Sequence, residues 1–126
     1  MKSLYDSISF KSSKIITKKY STSFSLGIYL LDKSIHEAIY SIYGFVRVAD
    51  EIVDTFHDYP KKEMLDDFIS ETYLSLKRGI STNPIINSFV LTVKQYNIDK
   101  EMIDLFLKSM KQDLHDVVYS DDSYNE

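Results

Sequence analysis

At 126 residues, with 44% hydrophobic side chains, the chain has the size and apolar content of one domain with its own core. The net charge is −4, and the basic residues are dispersed apart from the pair Lys18-Lys19, which argues against a nucleic-acid surface. Cysteine is absent, which excludes disulfides and thiolate metal sites.

Glycine (3) and proline (2) are scarce, and no segment sustains period-two alternation, so the pattern predicts an all-α chain of about six helices. The N-terminus, Met1-Lys2-Ser3-Leu4-Tyr5-Asp6, lacks the apolar stretch of a signal peptide. A first helix is expected over about 3–16, followed by a less regular stretch, Ser21-Thr22-Ser23-Phe24-Ser25, and an apolar segment around Leu26–Leu31. Asp32 or Ser34 can cap a long central helix, about 33–56. Pro60 suits the start of a helix over about 60–78, with Leu65, Phe68, Ile69, Thr72 and Leu76 on one face and Gly79 as its stop. Asn83-Pro84 opens another over about 84–96, with Ile85, Ile86, Phe89, Val90 and Val93 inward. Asp99 caps a last helix, about 100–118, with Ile103, Phe106, Leu107, Met110, Leu114 and Val117 inward, and residues 120–126 read as frayed. Met64, Met102 and Met110 fall at core-facing places. No run of about 20 apolar residues suits a membrane span.

The central helix carries Arg47-Val48-Ala49-Asp50-Glu51-Ile52-Val53-Asp54. Asp50 and Asp54 lie four residues apart, so on a helix their carboxylates are only ~40° apart around the axis. Paired carboxylates suit Mg²⁺, which takes a few protein oxygens and leaves the rest of its shell to water or phosphate. Spacing alone is weak: thirteen Asp residues give roughly 1.3 such pairs by chance, and two occur, Asp50/Asp54 and Asp54/Asp58. A solvated acidic face is the plain alternative. The rest of the helix adds weight. Asp54, Asp50, Arg47, Tyr43, Tyr40 and His36 form one stripe, beside an apolar stripe of Ile35, Ile39, Ile42, Val46, Ala49 and Val53. Two tyrosines and an arginine beside a core face read as a cavity wall, and the planar fork of Arg suits phosphate oxygens.

Three pieces in this order and spacing resemble the squalene/phytoene synthase family, most closely its bacterial phytoene synthases. They are Lys18-Lys19-Tyr20-Ser21-Thr22-Ser23-Phe24-Ser25; Ala38 to Arg47 with Asp50-Glu51-Ile52-Val53-Asp54; and Met110-Lys111-Gln112-Asp113-Leu114 with Tyr119. The resemblance implies an isoprenoid-synthase-type helical bundle around a central cavity. Family members are roughly twice this length, so residues 1–126 are expected to form one incomplete domain. Its second Asp-rich motif would lie in a missing segment or a separate C-terminal half.

The implied reaction is head-to-head condensation of two prenyl diphosphates, with geranylgeranyl diphosphate giving phytoene through a cyclopropyl diphosphate in carotenoid biosynthesis. Asp50 and Asp54 would bind Mg²⁺, with Mn²⁺ as the alternative ion, and Arg47 would hold diphosphate oxygens. Tyr43 would share that wall, and Ser21, Ser23 and Phe24 match the family's Ser-x-Ser-Phe pattern near the diphosphate. Without the resemblance, Ser21 to Ser25 read as a turn that caps a helix. Asp113 either lines the cavity, as the match implies, or belongs to a solvated set with Asp116, Asp121 and Asp122. Tyr20 stands where some members have His, and His36 where many have Arg. His36 reads as a partly exposed structural residue, and His57 and His115 as surface residues.

A phytoene-type enzyme needs no NADPH, whereas a squalene-type coupling enzyme does; a non-catalytic helical module is a further alternative. The expected place is the cytoplasm, with peripheral membrane contact left open because a polyprenyl substrate or product partitions there. Residues 1–126 alone are expected to be marginally stable and to turn over slowly or not at all. Val46, Val53 and part of the Phe106/Met110 face would then be left to water.

Overall fold

A computed structural model describes the backbone of residues 1–124 and the side chains of residues 1–118. Among the described residues the chain is all-α: α1 (Lys2–Tyr20), α2 (Thr22–Tyr29), a 3-10 turn (Lys33–Ile35), α3 (His36–Asp54), α4 (Lys61–Arg78), α5 (Pro84–Tyr96) and α6 (Lys100–Tyr124). α3 is the central element. It packs against α1, α4, α5 and α6 and also meets α2.

Local chemistry sets most boundaries. Ser21 is extended (φ −146°, ψ 97°) and its side chain accepts from the Phe24 N–H, so it breaks α1 and caps α2. Asn83 accepts from the amides of Ile85 and Ile86, with Pro84 behind it in the first turn. Gly79 (φ 89°) and Asn97 (φ 52°) close α4 and α5 in the left-handed region, where a residue other than Gly or Asn is strained.

Several boundaries differ from the sequence reading. α1 runs on to Tyr20, because Lys18 and Lys19 in its last turn complement the carbonyl end of the helix dipole. Ser21 is the sole break, and residues expected to be irregular from Thr22 onward are helical. The central helix opens with a 3-10 turn, where the Asp32 carboxylate takes the Ser34 N–H at 2.9 Å. α6 continues through residues 120–124, which were expected to fray, since no glycine or proline interrupts the stretch. Residues 125 and 126 lie outside the described residues.

The core gathers Phe45, Ala49, Ile52 and Val53 of α3 with Leu65, Phe68, Ile86, Phe89, Val90, Ile103, Leu107 and Leu114. Phe45 sits at its centre. Its ring stacks on Phe89 at 3.8 Å between centroids and meets Phe68 at 5.1 Å and Phe106 at 5.9 Å. The α3 core stripe is therefore turned from the expected one. Ile42 is 37% exposed, and Tyr40, Ser41 and Gly44 are buried because α1 covers their side. Val53 and Met110, expected to face water, are buried at 2% and 8% exposure by α4 and α6. Met102, expected inward, is 66% exposed.

α1 packs through hydroxyls. Ser9, Ser13 and Thr17 are fully buried, and Ser13 Oγ lies 2.6 Å from Ser88 Oγ of α5. The amide of Asn87 donates to Asp6 and to Ser9 Oγ, while Tyr5 OH donates to the Ser81 carbonyl at 2.6 Å. These side chains are small, so the helix axes approach closely. A Cβ on Gly44 would stand 3.1 Å from Ser13 Cβ and Oγ.

Candidate active site

The C-terminal half of α3 presents Tyr43, Arg47, Asp50 and Asp54 in successive turns. Lys61 fixes the end of that helix. Its side chain is 8% exposed, and its ammonium donates to the Val53 carbonyl at 2.6 Å and to His57 Nδ1 at 2.7 Å. The Val53 carbonyl is one of the last four of α3, which lack a helical partner, so Lys61 closes the helix that carries both carboxylates. His57 is exposed, as expected, and its ring faces this lysine.

Arg47 is held from two sides. Its Nη2 donates to Glu51 Oε1 at 2.7 Å, with the two side chains 25% and 14% exposed. Its guanidinium carbon stands 5.0 Å from the centroid of the Tyr20 ring, a cation–π contact. Arg47 Nε is buried with no hydrogen-bond partner among the described residues. Burial alone would weaken the Arg47 charge; the nearby Glu51 and Asp50 carboxylates outweigh it and hold the guanidinium pKa above its usual value.

Asp50 is half-buried and Asp54, one turn on, is exposed. Burial pushes the Asp50 carboxyl above the usual carboxylate range. Arg47 opposes that shift, and the charges of Asp54, Asp113 and Glu51 add to it. Asp113 comes from α6, so the fold brings its charge to Asp50 even though its own side chain is exposed.

Phe24 and Tyr43 stack with centroids 4.8 Å apart and an interplanar angle of 26°, which ties α2 to this face of α3. Ser21 Oγ is engaged in capping, accepting from Phe24 N at 3.1 Å. Ser23 is exposed, whereas Ser25 Oγ is buried and without a partner among the described residues. The expected stripe divides at Tyr40, which is 5% exposed with Lys14 Nζ 5.7 Å from its ring centroid. Tyr40 is a packing residue here and does not form an open wall. His36 is partly exposed, and its Nε2 lies 2.9 Å from the Leu31 carbonyl. Tyr119 lies outside the described side chains.

Reasoning from sequence missed Glu51 and Lys61. The Arg47/Glu51 spacing of four was a usable signal for the first. Nothing local announced that Lys61 would fold back onto α3.

Mg²⁺ seeks hard oxygen donors and keeps several water or phosphate oxygens of its own. Asp50 and Asp54, crowded by negative charge, are a donor set of that kind. Among the described residues no three of His, Cys, Asp or Glu converge as a metal-holding group, so any such ion would need oxygens from outside this pair. An open groove of about 820 Å³ beyond the end of α3, lined by His57, Lys61 and Asp66 among others, does not include Arg47, Asp50 or Asp54.

Residues 17–126 match the family model described as squalene/phytoene synthase. No curated protein and no solved structure matches the chain.

Proposed function

The chain belongs to the squalene/phytoene synthase family, whose chemistry joins prenyl diphosphates head to head, and we propose that the Tyr43–Asp54 face of α3 is the half of such a site that handles the departing diphosphate. The reading that fits best is phytoene-type: two geranylgeranyl diphosphates condense, without NADPH, through a cyclopropyl diphosphate. In the first step the donor's allylic C–O bond breaks and its electron pair leaves with the diphosphate. The acceptor's double bond attacks the carbocation, and loss of a proton closes the three-membered ring. A second ionisation and rearrangement, with loss of a further proton, give the product.

Asp50 and Asp54 would hold Mg²⁺, which supplies charge neutralisation to the leaving diphosphate when bound. Arg47 offers its remaining guanidinium N–H groups to diphosphate oxygens, oriented for that by Glu51 and Tyr20. The stacked pair Phe24/Tyr43 gives the prenyl chain an apolar wall, and its ring faces suit a nearby cation. The charge of Asp113 on α6 is felt at Asp50 and helps to raise its pKa. What supports the reading is the family match together with Arg47, Asp50 and Asp54 on one face of one helix, where Arg47 Nε has no partner among the described residues.

Calorimetric titration with inorganic diphosphate tests it. Binding is expected to require Mg²⁺ and to weaken by about tenfold or more in Asp50→Asn, a change of about 1.4 kcal/mol, with the circular dichroism spectrum unchanged. Equal affinity in the variant, or equal affinity without Mg²⁺, would remove Asp50 from the site.

A further inference from the structure

α3 ends without a local stop. α4 closes on Gly79 and α5 on Asn97, both left-handed, whereas Thr55, the residue after α3, keeps φ −118°. The Thr55 and Phe56 amides both turn back to the Glu51 carbonyl, and the His57 amide goes to the Thr55 carbonyl at 2.8 Å. In a continuing helix the His57 amide would serve the Val53 carbonyl. That carbonyl is left over, and the Lys61 ammonium takes it at 2.6 Å.

Charge adds to the strain on this turn. The carbonyl end of a helix carries partial negative charge and favours cations. The last turn of α3 has no basic residue and holds Glu51 and Asp54. Glu51 is paired with Arg47, one turn back. Ile52 and Val53 anchor the inner side of the turn in the core, but Asp54 stands on its exposed side. Lys61 is the first residue of α4, where that helix's own dipole disfavours a cation. Its burial, at 8% exposure, is a further cost. What offsets both is the end of α3: the Val53 carbonyl, with His57 Nδ1 as second acceptor at 2.7 Å.

We propose that Lys61 is a positioning residue for the carboxylate pair: it keeps the last turn of α3 helical and so fixes Asp54 relative to Asp50. Asp50 lies one turn deeper and is half-buried, so loosening the last turn displaces Asp54 alone. The two carboxylates would then no longer meet one cation together. The proposal rests on the reading of Asp50 and Asp54 as a cation and diphosphate site, whereas the hold of Lys61 on α3 can be measured without any ligand.

Native-state hydrogen exchange and calorimetry of the 126-residue chain test it. Lys61→Met keeps the apolar stem and removes the ammonium. In that variant the Thr55 and Phe56 amides are expected to exchange at least about tenfold faster, with the α5 amides unchanged. His57→Ala, at an exposed position, removes one of the lysine's two acceptors and should speed the same two amides by a smaller factor. Mg²⁺-dependent binding of inorganic diphosphate should weaken by about tenfold or more in Lys61→Met. That loss should disappear when Asp54→Asn is already present, because no second carboxylate is then left to place. Unchanged exchange at Thr55 and Phe56 in both variants would overturn the proposal alone, as would the same loss of affinity with and without Asp54→Asn. Absence of Mg²⁺-dependent binding in the wild type would overturn the reading of the site, and this proposal with it.

Discussion

Arg47 and Glu51 are joined at 2.7 Å across one turn of α3, so the arginine of the candidate site is already half committed to a carboxylate of its own helix. The pairing has a measurable cost when broken. Arg47→Ala leaves the Glu51 carboxylate, 14% exposed, without its partner. A loss of about 1–3 kcal/mol is expected from that stranded group. Arg47→Ala/Glu51→Ala should lose less than the sum of the two single changes. Urea denaturation of the four proteins in a double-mutant cycle measures the coupling, and strict additivity would show the pair to be energetically silent.

Gly44→Ala sets two effects against each other. Alanine is favoured over glycine in a helix interior by about 1 kcal/mol. The new methyl would stand 3.1 Å from Ser13 Cβ and 3.2 Å from Ser13 Cα, and Ser13 is tied to Ser88. Relief therefore requires moving the α1 backbone, which costs about 1–3 kcal/mol as overpacking does elsewhere. A net loss of about 1 kcal/mol is expected, visible as a lower urea midpoint with an unchanged slope. A raised midpoint would mean that α1 yields easily.

Tyr73 OH donates to Asp104 Oδ1 at 2.5 Å, linking α4 to α6. Burial, first, and then the hydrogen bond and charge of Asp104 push the phenol from 10.0 up to about 12. A folded-state pKa above the unfolded one stabilises the fold fully below pH 10.0, and that contribution is lost as the pH rises through about 12. Wild type should exceed Tyr73→Phe in stability by a constant margin near neutrality. The margin should shrink between pH 10.0 and about 12. Urea midpoints for both proteins across that window check it, and a margin that stays flat would separate the Tyr73 proton from Asp104.

Helix punctuation was open to reading because it is local. Asn83-Pro84, Gly79 and Asp99 act through backbone geometry within a few residues, and each bounds an element where expected. α1 was harder. Its inward row, Ser9, Ser13 and Thr17, has the spacing of a helix face but the chemistry of a solvent face. What reverses it is Gly44, far along the chain, whose missing side chain lets α1 come close. Distance in sequence also hid the rotation of the α3 core stripe toward Phe45, whereas the buried end of Lys61 depends on a fold-back over eight residues that no motif marks. In the candidate site, the shared face of Tyr43, Arg47, Asp50 and Asp54 follows from helical spacing alone. The approach of Asp113 to Asp50 depends on how α6 crosses α3, which no local pattern encodes.

The hydroxyl seam under α1 carries one further consequence. Phe45, Phe89 and Leu107 are secured by hydrocarbon that water cannot replace, whereas Ser13, Asn87 and Tyr5 hold α1 through bonds that water can reproduce. The free energy of opening is thus unevenly distributed, and α1 is the cooperative unit that releases first. In native-state hydrogen exchange its amides should lose protection well before those of α3 and α5. A chain caught in that opened state would keep its aromatic centre packed while a third of its basic residues, five of 15, swing free with α1.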